Sequence, residues 1–159
     1  MKPIVLATDG SATAAAAENT AFELAEATGA QLIAVAVWDL PYTGPGHAPV
    51  PFVVDVNGSS EKWAEDAVAA VAQRAGDRDV DVEPVVCRGF PADEICGLAR
   101  ARDAQLIVMG SHGWGRFKRM LFGSVSAAVL RHAPCPVLIV PASVLDKHNE
   151  TSDRVATEV

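Results

Sequence analysis

Short apolar runs alternate with longer amphipathic stretches along most of the chain. The run 3–8 (PIVLAT) is apolar throughout, as is typical of a strand covered on both faces. Similar runs cover 31–38 (QLIAVAVW), 105–109 (QLIVM) and 137–140 (VLIV), and a partly alternating run covers 80–87. Because this alternation is typical of parallel βαβ units, the pattern predicts five strands joined by helices.

The first predicted helix follows the opening strand directly. Ser11 is a suitable N-cap, and Gly29 is a suitable end after a helix that reaches about Thr28. Its apolar residues recur at helical spacing and favour close packing on the sheet. They include Ala17, Ala21, Leu24 and Ala25.

Three further helices are predicted later in the chain. The second starts near Ser59 or Ser60, and the third covers 92–102. The fourth covers 124–132 and is ended by nearby prolines. The inward-facing residues of the second and third helices are predicted to be Trp63, Ala67, Val71, Ile95, Leu98 and Ala99.

Such a chain predicts an α/β fold, an open five-stranded parallel sheet with helices on both faces and right-handed crossovers. The expected strand order is 3-2-1-4-5, with 2-1-3-4-5 as the related alternative. In the first order the direction reverses between strands one and four, whose carboxyl ends are Asp9 and Gly110. Ligands of open α/β sheets bind beyond strand ends at that point.

Two segments fit no regular element. The stretch 39–58 is broken by Pro41, Pro45, Pro49 and Pro51, and a loop of this length is often functional. The polar stretch 146–159 predicts a disordered tail, which leaves one domain over 1–145.

Charge and composition narrow the function classes. Thirteen Lys plus Arg against twenty Asp plus Glu give a formal net charge of -7, which argues against a nucleic-acid binder. No apolar stretch reaches the roughly 20 residues of a membrane span. Three cysteines without paired spacing and no signal pattern at the N-terminus lead us to expect reduced thiols and a cytoplasmic protein without a metal site.

Candidate chemistry is concentrated in 110–126, which reads GSHGWGRFKRMLFGSVS. Its glycines allow a ligand to approach the backbone, and Arg116, Lys118 and Arg119 place cations in an acidic chain. Gly123 opens a helix whose first-turn amides, with the hydroxyls of Ser124 and Ser126, could bind an anion. The pattern therefore predicts a phosphate site.

A plainer interpretation makes this segment a surface loop and Ser124 an ordinary N-cap. The coincidence with the predicted reversal point favours the phosphate site. The chain contains neither GxxxxGK[ST] nor a GxGxxG after the first strand, so the phosphates would be held by a different loop.

The spacing Gly110-x-x-Gly113, nine residues, then Gly123-Ser124 resembles the G-2x-G-9x-G-[S/T] signature of ATP-binding universal stress proteins. The opening IVLATDGS and the closing HAPCPVLIVP also resemble that family's first and last strands, so the similarity covers roughly 3–141. It implies the fold of adenine nucleotide alpha-hydrolase-like domains and an ATP ligand, with Mg²⁺ bound through the phosphates.

The resemblance also implies site residues. Asp9 would face the ribose or a phosphate-bound metal, and Val37 would hold the base through backbone groups. The family often has His before the residue aligned with Val37, where this chain has Ala36. Met109 and Gly110 would line the base and ribose. The phosphates would be held by Gly113, Arg116, Gly123, Ser124, Val125 and Ser126.

Other candidates have ordinary structural interpretations. His112 could act as a base, but exposure without a role is favoured, and Trp114 and Phe117 could cover a nucleotide or pack the loop. Trp38 and Trp63 are expected to pack in the core or against a loop. The remaining histidines have no ligand partner at a suitable spacing and are not expected to bind metal. They are His47, His132 and His148.

The apolar strand 137–140 is placed last, at a predicted sheet edge, and such an edge invites pairing with another chain. In the resembled family this strand commonly mediates homodimers, and we expect a homodimer here.

The leading hypothesis is a nucleotide-dependent stress-response regulator with no catalytic residue assigned and at most slow ATP hydrolysis. The alternatives are a nucleotide-handling hydrolase or transferase on the same scaffold, and an interaction protein that binds no nucleotide.

Overall fold

A computed structural model describes residues 1–38, 59–76, 78–111 and 123–141. Strands and helices alternate through these residues. In chain order they are β1 (Ile4–Ala7), α1 (Ala12–Thr28), β2 (Leu32–Trp38), α2 (Ser59–Arg74), β3 (Val82–Arg88), α3 (Pro91–Ala101), β4 (Leu106–Gly110), α4 (Ser124–His132) and β5 (Val137–Val140).

The strands form one parallel five-stranded sheet in the order β3-β2-β1-β4-β5. This confirms the first of the two expected orders. In the register of the central strands, Leu6 of β1 lies opposite Ala34 of β2 and Val108 of β4. From β1 the chain adds β2 and β3 on one side, and it then adds β4 and β5 on the other side. The direction in which strands are added therefore reverses between β1 and β4, where the sequence places the candidate site.

Helices cover both faces of the sheet, as predicted. Alternate residues of β1 enter different cores: Ile4 and Leu6 pack with α1 and α2, whereas Val5 and Ala7 pack with α3 and α4. The side chains of β1 are almost completely buried, which explains why this strand is apolar without alternation.

The ends of α1 follow the chemistry of their terminal residues. The Ser11 hydroxyl accepts a hydrogen bond from the Ala14 amide at 3.2 Å, which confirms Ser11 as the N-cap. Gly29 ends the helix with φ 65°, a left-handed conformation that glycine adopts without strain. At α2 both predicted capping serines lie inside the first turn, because the helix begins at Ser59.

The outer strand β3 contains a proline, which its position explains. The Gly89 amide points toward β2, because it donates to the Trp38 carbonyl at 3.1 Å. The amides of Glu83 and Val85, which flank Pro84, lie an even number of residues from Gly89 and point to the same side. Backbone groups along a strand point alternately to its two sides, so the nitrogen of Pro84 faces away from β2. A proline at such a position removes no ladder hydrogen bond. β3 runs from 82 to 88, one or two residues later than the predicted 80–87.

The three cysteines are free thiols. Burial raises the pKa of Cys87, Cys96 and Cys135, and the nearby Glu94 raises that of Cys87 further. Raised pKa values keep these groups protonated near neutral pH and make them poor nucleophiles.

Within the described parts of the chain, no helix has the length and apolar character that crossing a bilayer requires.

Candidate functional site

The carboxyl ends of β1 and β4 lie side by side. Ala7, the last residue of β1, is opposite Met109 near the end of β4. The residues that follow, Asp9 on one strand and Gly110 and Ser111 on the other, therefore leave the sheet at neighbouring points. The structure thus brings together two of the segments that the sequence singled out.

The loop between β1 and α1 has a defined local geometry. The Asp9 carboxylate accepts a hydrogen bond from the Ser11 amide at 3.0 Å, and Gly10 has φ 69°. Asp9 is partly exposed. Together with the N-cap contact of Ser11, these bonds fix the direction in which the chain leaves β1.

A buried polar network below this loop was missed by sequence reasoning. The Thr8 hydroxyl donates to Glu18 Oε1 at 2.9 Å and accepts from the Gly10 amide at 3.2 Å. Glu18 Oε2 pairs with the Arg74 guanidinium of α2. Glu18 is only 2% exposed. A signal was present: Glu18 lies one turn from the apolar residues Ala14, Ala21 and Phe22, on the inward stripe of α1.

The amino terminus of α4 is held against the end of β4. The Gly123 amide donates to the Ser111 carbonyl at 2.8 Å, and the Ser111 amide donates to the Val140 carbonyl at 3.0 Å. Ser111 and Gly123 are therefore adjacent, although the residues between them, 112–122, are outside the described chain. The first turn of α4 lies at the reversal point, as the phosphate-site hypothesis requires.

The two serines of this turn have different environments. Ser124 is exposed. Ser126 is buried, and its hydroxyl lies 3.1 Å from the Ser111 carbonyl and 3.0 Å from the Gly123 carbonyl. Its single proton is thus directed to backbone oxygens, so the hydroxyl stabilises the helix end rather than pointing outward. The sequence could not show this, because Ser111 lies fifteen residues away.

Backbone donors remain at this helix end. Gly123 is the N-cap residue and supplies no side-chain acceptor. The amides of Ser124, Val125 and Ser126 belong to the first turn, where a helix offers no intrahelical partner. With the helix dipole they place roughly half a positive charge at the amino terminus. Such an end can bind an anion.

Val37 offers backbone groups on the side of β2 that faces β1. The neighbouring Trp38 carbonyl bonds to Gly89 of β3, so the amide and carbonyl of Val37 point the other way. On that side the Thr8 amide bonds to the Val35 carbonyl at 2.9 Å, and β1 has already ended at Ala7. The groups of Val37 therefore lie just beyond the end of β1.

Met109 is buried, with 6% exposure, and packs with the core beneath α3 and α4. Trp38 and Trp63 pack against Ala36, Ala64, Ala67 and Val68, as expected for packing residues. The guanidinium of Arg88 lies over the Trp38 ring, 5.2 Å from its centroid, within the roughly 6 Å of a cation–π contact.

Several predicted residues lie outside the described part of the chain. They are Gly113, Arg116, His112, Trp114, Phe117, Lys118, Arg119, His47 and His148. His132 is exposed at the end of α4. Across the described ranges, no three His, Cys, Asp or Glu side chains are grouped as metal ligands would be.

Comparison with known proteins identifies relatives along most of the chain. The model of the universal stress protein family matches residues 1–141. A universal stress protein of Methanocaldococcus jannaschii is 33% identical over 141 residues, which cover 87% of this chain and 81% of that protein. One from Bacillus subtilis is 32% identical, with 86% and 97% covered. One from Mycolicibacterium smegmatis is 37% identical over 87% of this chain, which spans only 45% of that longer protein.

Solved structures agree with these relatives. Universal stress protein UspA from Lactobacillus plantarum superposes with a TM-score of 0.76 at 26% identity, covering 87% of this chain and 97% of that one. A universal stress protein in complex with cAMP gives 0.63 at 30% identity, with 89% and 98% covered. One from Archaeoglobus fulgidus in complex with dAMP gives 0.58 at 26% identity, with 88% and 98% covered. The sequence match and the shared fold together show that this chain belongs to the universal stress protein family.

Proposed function

We propose that this protein binds ATP at the carboxyl edge of its sheet and acts as a nucleotide-dependent stress-response regulator. One observation supports this most strongly: the end of β1, the end of β4 and the amino terminus of α4 converge at the reversal point of the sheet. The contact between the Gly123 amide and the Ser111 carbonyl holds two of these elements together.

The positions of the backbone groups suggest how the nucleotide would lie. The first-turn amides of α4 would bind phosphate oxygens, and Ser124, being exposed, could add a hydroxyl donor. The amide and carbonyl of Val37 form a donor and acceptor pair that matches the edge of an adenine ring. Asp9 lies between these regions and would contact the ribose or a metal. Met109 is buried, so it would contribute through its backbone and as the floor of the site.

Two structural relatives support the ligand class. One was solved in complex with cAMP and another, from Archaeoglobus fulgidus, with dAMP. Both ligands are adenine nucleotides. The choice of ATP rests on the sequence signature of the loop, which includes Gly113 and Arg116. The guanidinium of Arg116 could neutralise additional phosphates.

Mg²⁺ would accompany the phosphates, as it commonly does with nucleoside triphosphates. The residues fit such an ion, because the Asp9 carboxylate is partly exposed and is held by the Ser11 amide at 3.0 Å. The metal would screen phosphate charge and order the phosphate chain. Asp9 would be the side chain that helps to hold the ion.

The same geometry limits the chemistry. Hydrolysis requires a group that orients water at the terminal phosphate. Among the described residues of the site, Asp9 has the only ionisable side chain that could do so, and the proposed binding mode already assigns it to the ribose or the metal. We therefore propose binding with at most slow hydrolysis.

We further propose that a second copy of this chain pairs with β5. This strand is at the edge of the sheet, and Val137, Leu138 and Ile139 are only partly buried. An apolar edge strand presents unpaired backbone groups to a partner. Sedimentation velocity is expected to give the mass of two chains, and Leu138→Lys is expected to shift the protein to monomer. A wild-type monomer at high concentration would reject this part of the proposal.

Isothermal titration calorimetry with ATP and Mg²⁺ tests the function. Gly123 has φ -70°, which any residue can adopt, so Gly123→Val is expected to fold while its side chain obstructs phosphate approach. The matched control is Gly97→Ala on α3, where an added Cβ meets no atom within 4 Å. We expect binding by the wild type and the control, and loss of at least tenfold in affinity for Gly123→Val. Absence of wild-type binding, or equal affinity for all three proteins, would contradict the proposal.

A further inference from the structure

The polar network formed by Thr8, Glu18 and Arg74 joins the loop that follows β1 to the helices α1 and α2. Both oxygens of the Glu18 carboxylate are used: Oε1 accepts from the Thr8 hydroxyl, and Oε2 pairs with Arg74. Glu18 is almost fully buried, whereas the Arg74 side chain is half exposed. The network therefore extends from the protein surface to the carboxyl end of β1.

Stability alone does not explain a carboxylate in this position. Desolvation of a buried ion pair can exceed its attraction, and apolar residues of similar volume often serve equally well. The surroundings of Glu18 are apolar, including Ala14, Ala21 and Phe22, so an apolar residue would fit the stripe. The charged pair instead fixes the relative orientation of α1 and α2, because its hydrogen bonds are satisfied in only one arrangement of the helices.

The Thr8 hydroxyl connects this ion pair to the backbone of the candidate site. The Thr8 hydroxyl has one proton, and donating it to Glu18 leaves its lone pairs to accept from the Gly10 amide at 3.2 Å. Gly10 is held at φ 69° between Asp9, the proposed ribose or metal contact, and Ser11, the N-cap of α1. The orientation of the Thr8 hydroxyl thus helps to fix the loop that presents Asp9.

We infer that Thr8 and Glu18 are positioning residues which hold the β1–α1 loop in its nucleotide-binding conformation, and that Arg74 couples this loop to α2. The inference rests on the proposed function. It adds a regulatory connection: displacement of α2, which follows segment 39–58 in the chain, would release Glu18 and lower nucleotide affinity. By linkage, bound nucleotide would favour the arrangement of α2 seen here.

A second ion pair between the same parts of the chain provides a matched control. Arg78, just after α2, pairs with Glu26 of α1 at 3.5 Å and also lies over the Phe22 ring, 5.1 Å from its centroid. Glu26 is bonded to Arg78, and within the described residues it makes no hydrogen bond to the β1–α1 loop. Removing this pair is expected to perturb the α1–α2 contact and to leave the loop in place.

The experiment measures ATP affinity with Mg²⁺ by calorimetry, well below the melting temperature of every variant. Thr8→Val and Glu18→Met are expected to weaken binding about fivefold or more, and Arg74→Met is expected to weaken it in the same direction. Arg78→Met should remain within about twofold of the wild type. Thr8→Ser keeps the hydroxyl and should bind nearly as the wild type does, a rescue that a purely structural role would not produce.

The outcomes separate the two proposals. If the wild type binds ATP and both Thr8→Val and Glu18→Met bind equally well, the positioning role is overturned while the function stands. If the wild type does not bind, the function itself fails, and the positioning role fails with it. Should Glu18→Met not fold, the pair Thr8→Val and Thr8→Ser still decides the question, because valine and threonine have nearly the same shape.

Discussion

Replacement of Gly10 by alanine tests whether the loop after β1 needs its left-handed backbone. Gly10 has φ 69°, and an added Cβ would lie 3.6 Å from the Cβ of Ala67, an ordinary van der Waals contact. No steric overlap is therefore created, and the cost of Gly10→Ala is conformational alone. For a residue other than glycine, that cost is about 1–2 kcal/mol.

This cost can be divided between stability and binding. If the loop keeps its conformation, the free energy of unfolding falls by the full amount. If the free loop relaxes, stability falls less, and the remainder appears as lost ATP affinity because the bound loop must recover the strained conformation. The two losses should together reach about 1–2 kcal/mol, and each 1.4 kcal/mol lost in binding is a tenfold weaker affinity.

Gly29→Ala is the matched control. Gly29 has φ 65° and no atom within 4 Å of an added Cβ, but it ends α1 at the opposite edge of the sheet. Urea unfolding should show a loss of about 1–2 kcal/mol for Gly29→Ala. Calorimetry should show unchanged ATP affinity for this variant.

The reasoning is refuted if Gly10→Ala changes neither the free energy of unfolding nor the ATP affinity, since the loop would then not need its left-handed residue in either state. A loss of ATP affinity in Gly29→Ala equal to that in Gly10→Ala would also refute it, because the effect would not be local to the site.

Two further predictions concern the helix end and the thiols. Ser126→Ala should lower the free energy of unfolding in urea by only about 1 kcal/mol, because the Ser111 carbonyl keeps the Gly123 amide as a donor; a loss above about 3 kcal/mol would contradict this. Burial raises the pKa of Cys96 and Cys135 in the folded protein, so their contribution to stability is complete below the unfolded pKa near 9.0 and is lost as the pH rises through the folded values. Urea unfolding at pH 8 and pH 10 should show a smaller alkaline loss in the free energy of unfolding for the double variant Cys96→Ala, Cys135→Ala than for the wild type. Equal losses in the two proteins would contradict this prediction.

Much of the fold was predictable because its signals are local. The five runs predicted every strand to within about two residues. The observed strand order is the first of the two orders that are common for five parallel strands, and the local signals had left the second one open. The ends of α1 were predictable for the same reason. Ser11 and Gly29 satisfy backbone requirements within a few residues of their own positions.

The internal contacts of the site were less accessible, because they depend on residues that are distant in sequence. Glu18 and Arg74 are separated by 56 positions, and nothing in the local pattern links them. The inward hydroxyl of Ser126 likewise requires the carbonyl of Ser111. Sequence reasoning assigned Ser126 an outward donor, because it could place the helix end but not the side-chain rotamer.

The central claim is that an adenine nucleotide binds where β1, β4 and the start of α4 converge. Titration of the ¹⁵N-labelled protein with ATP and Mg²⁺, followed through backbone amide chemical shifts, tests this most directly. We predict the largest shifts at Gly10, Val37, Ser124 and Val125, with little change at Gly29 and Gly97. Shifts confined to other surfaces, or none at saturating ATP, would contradict the account.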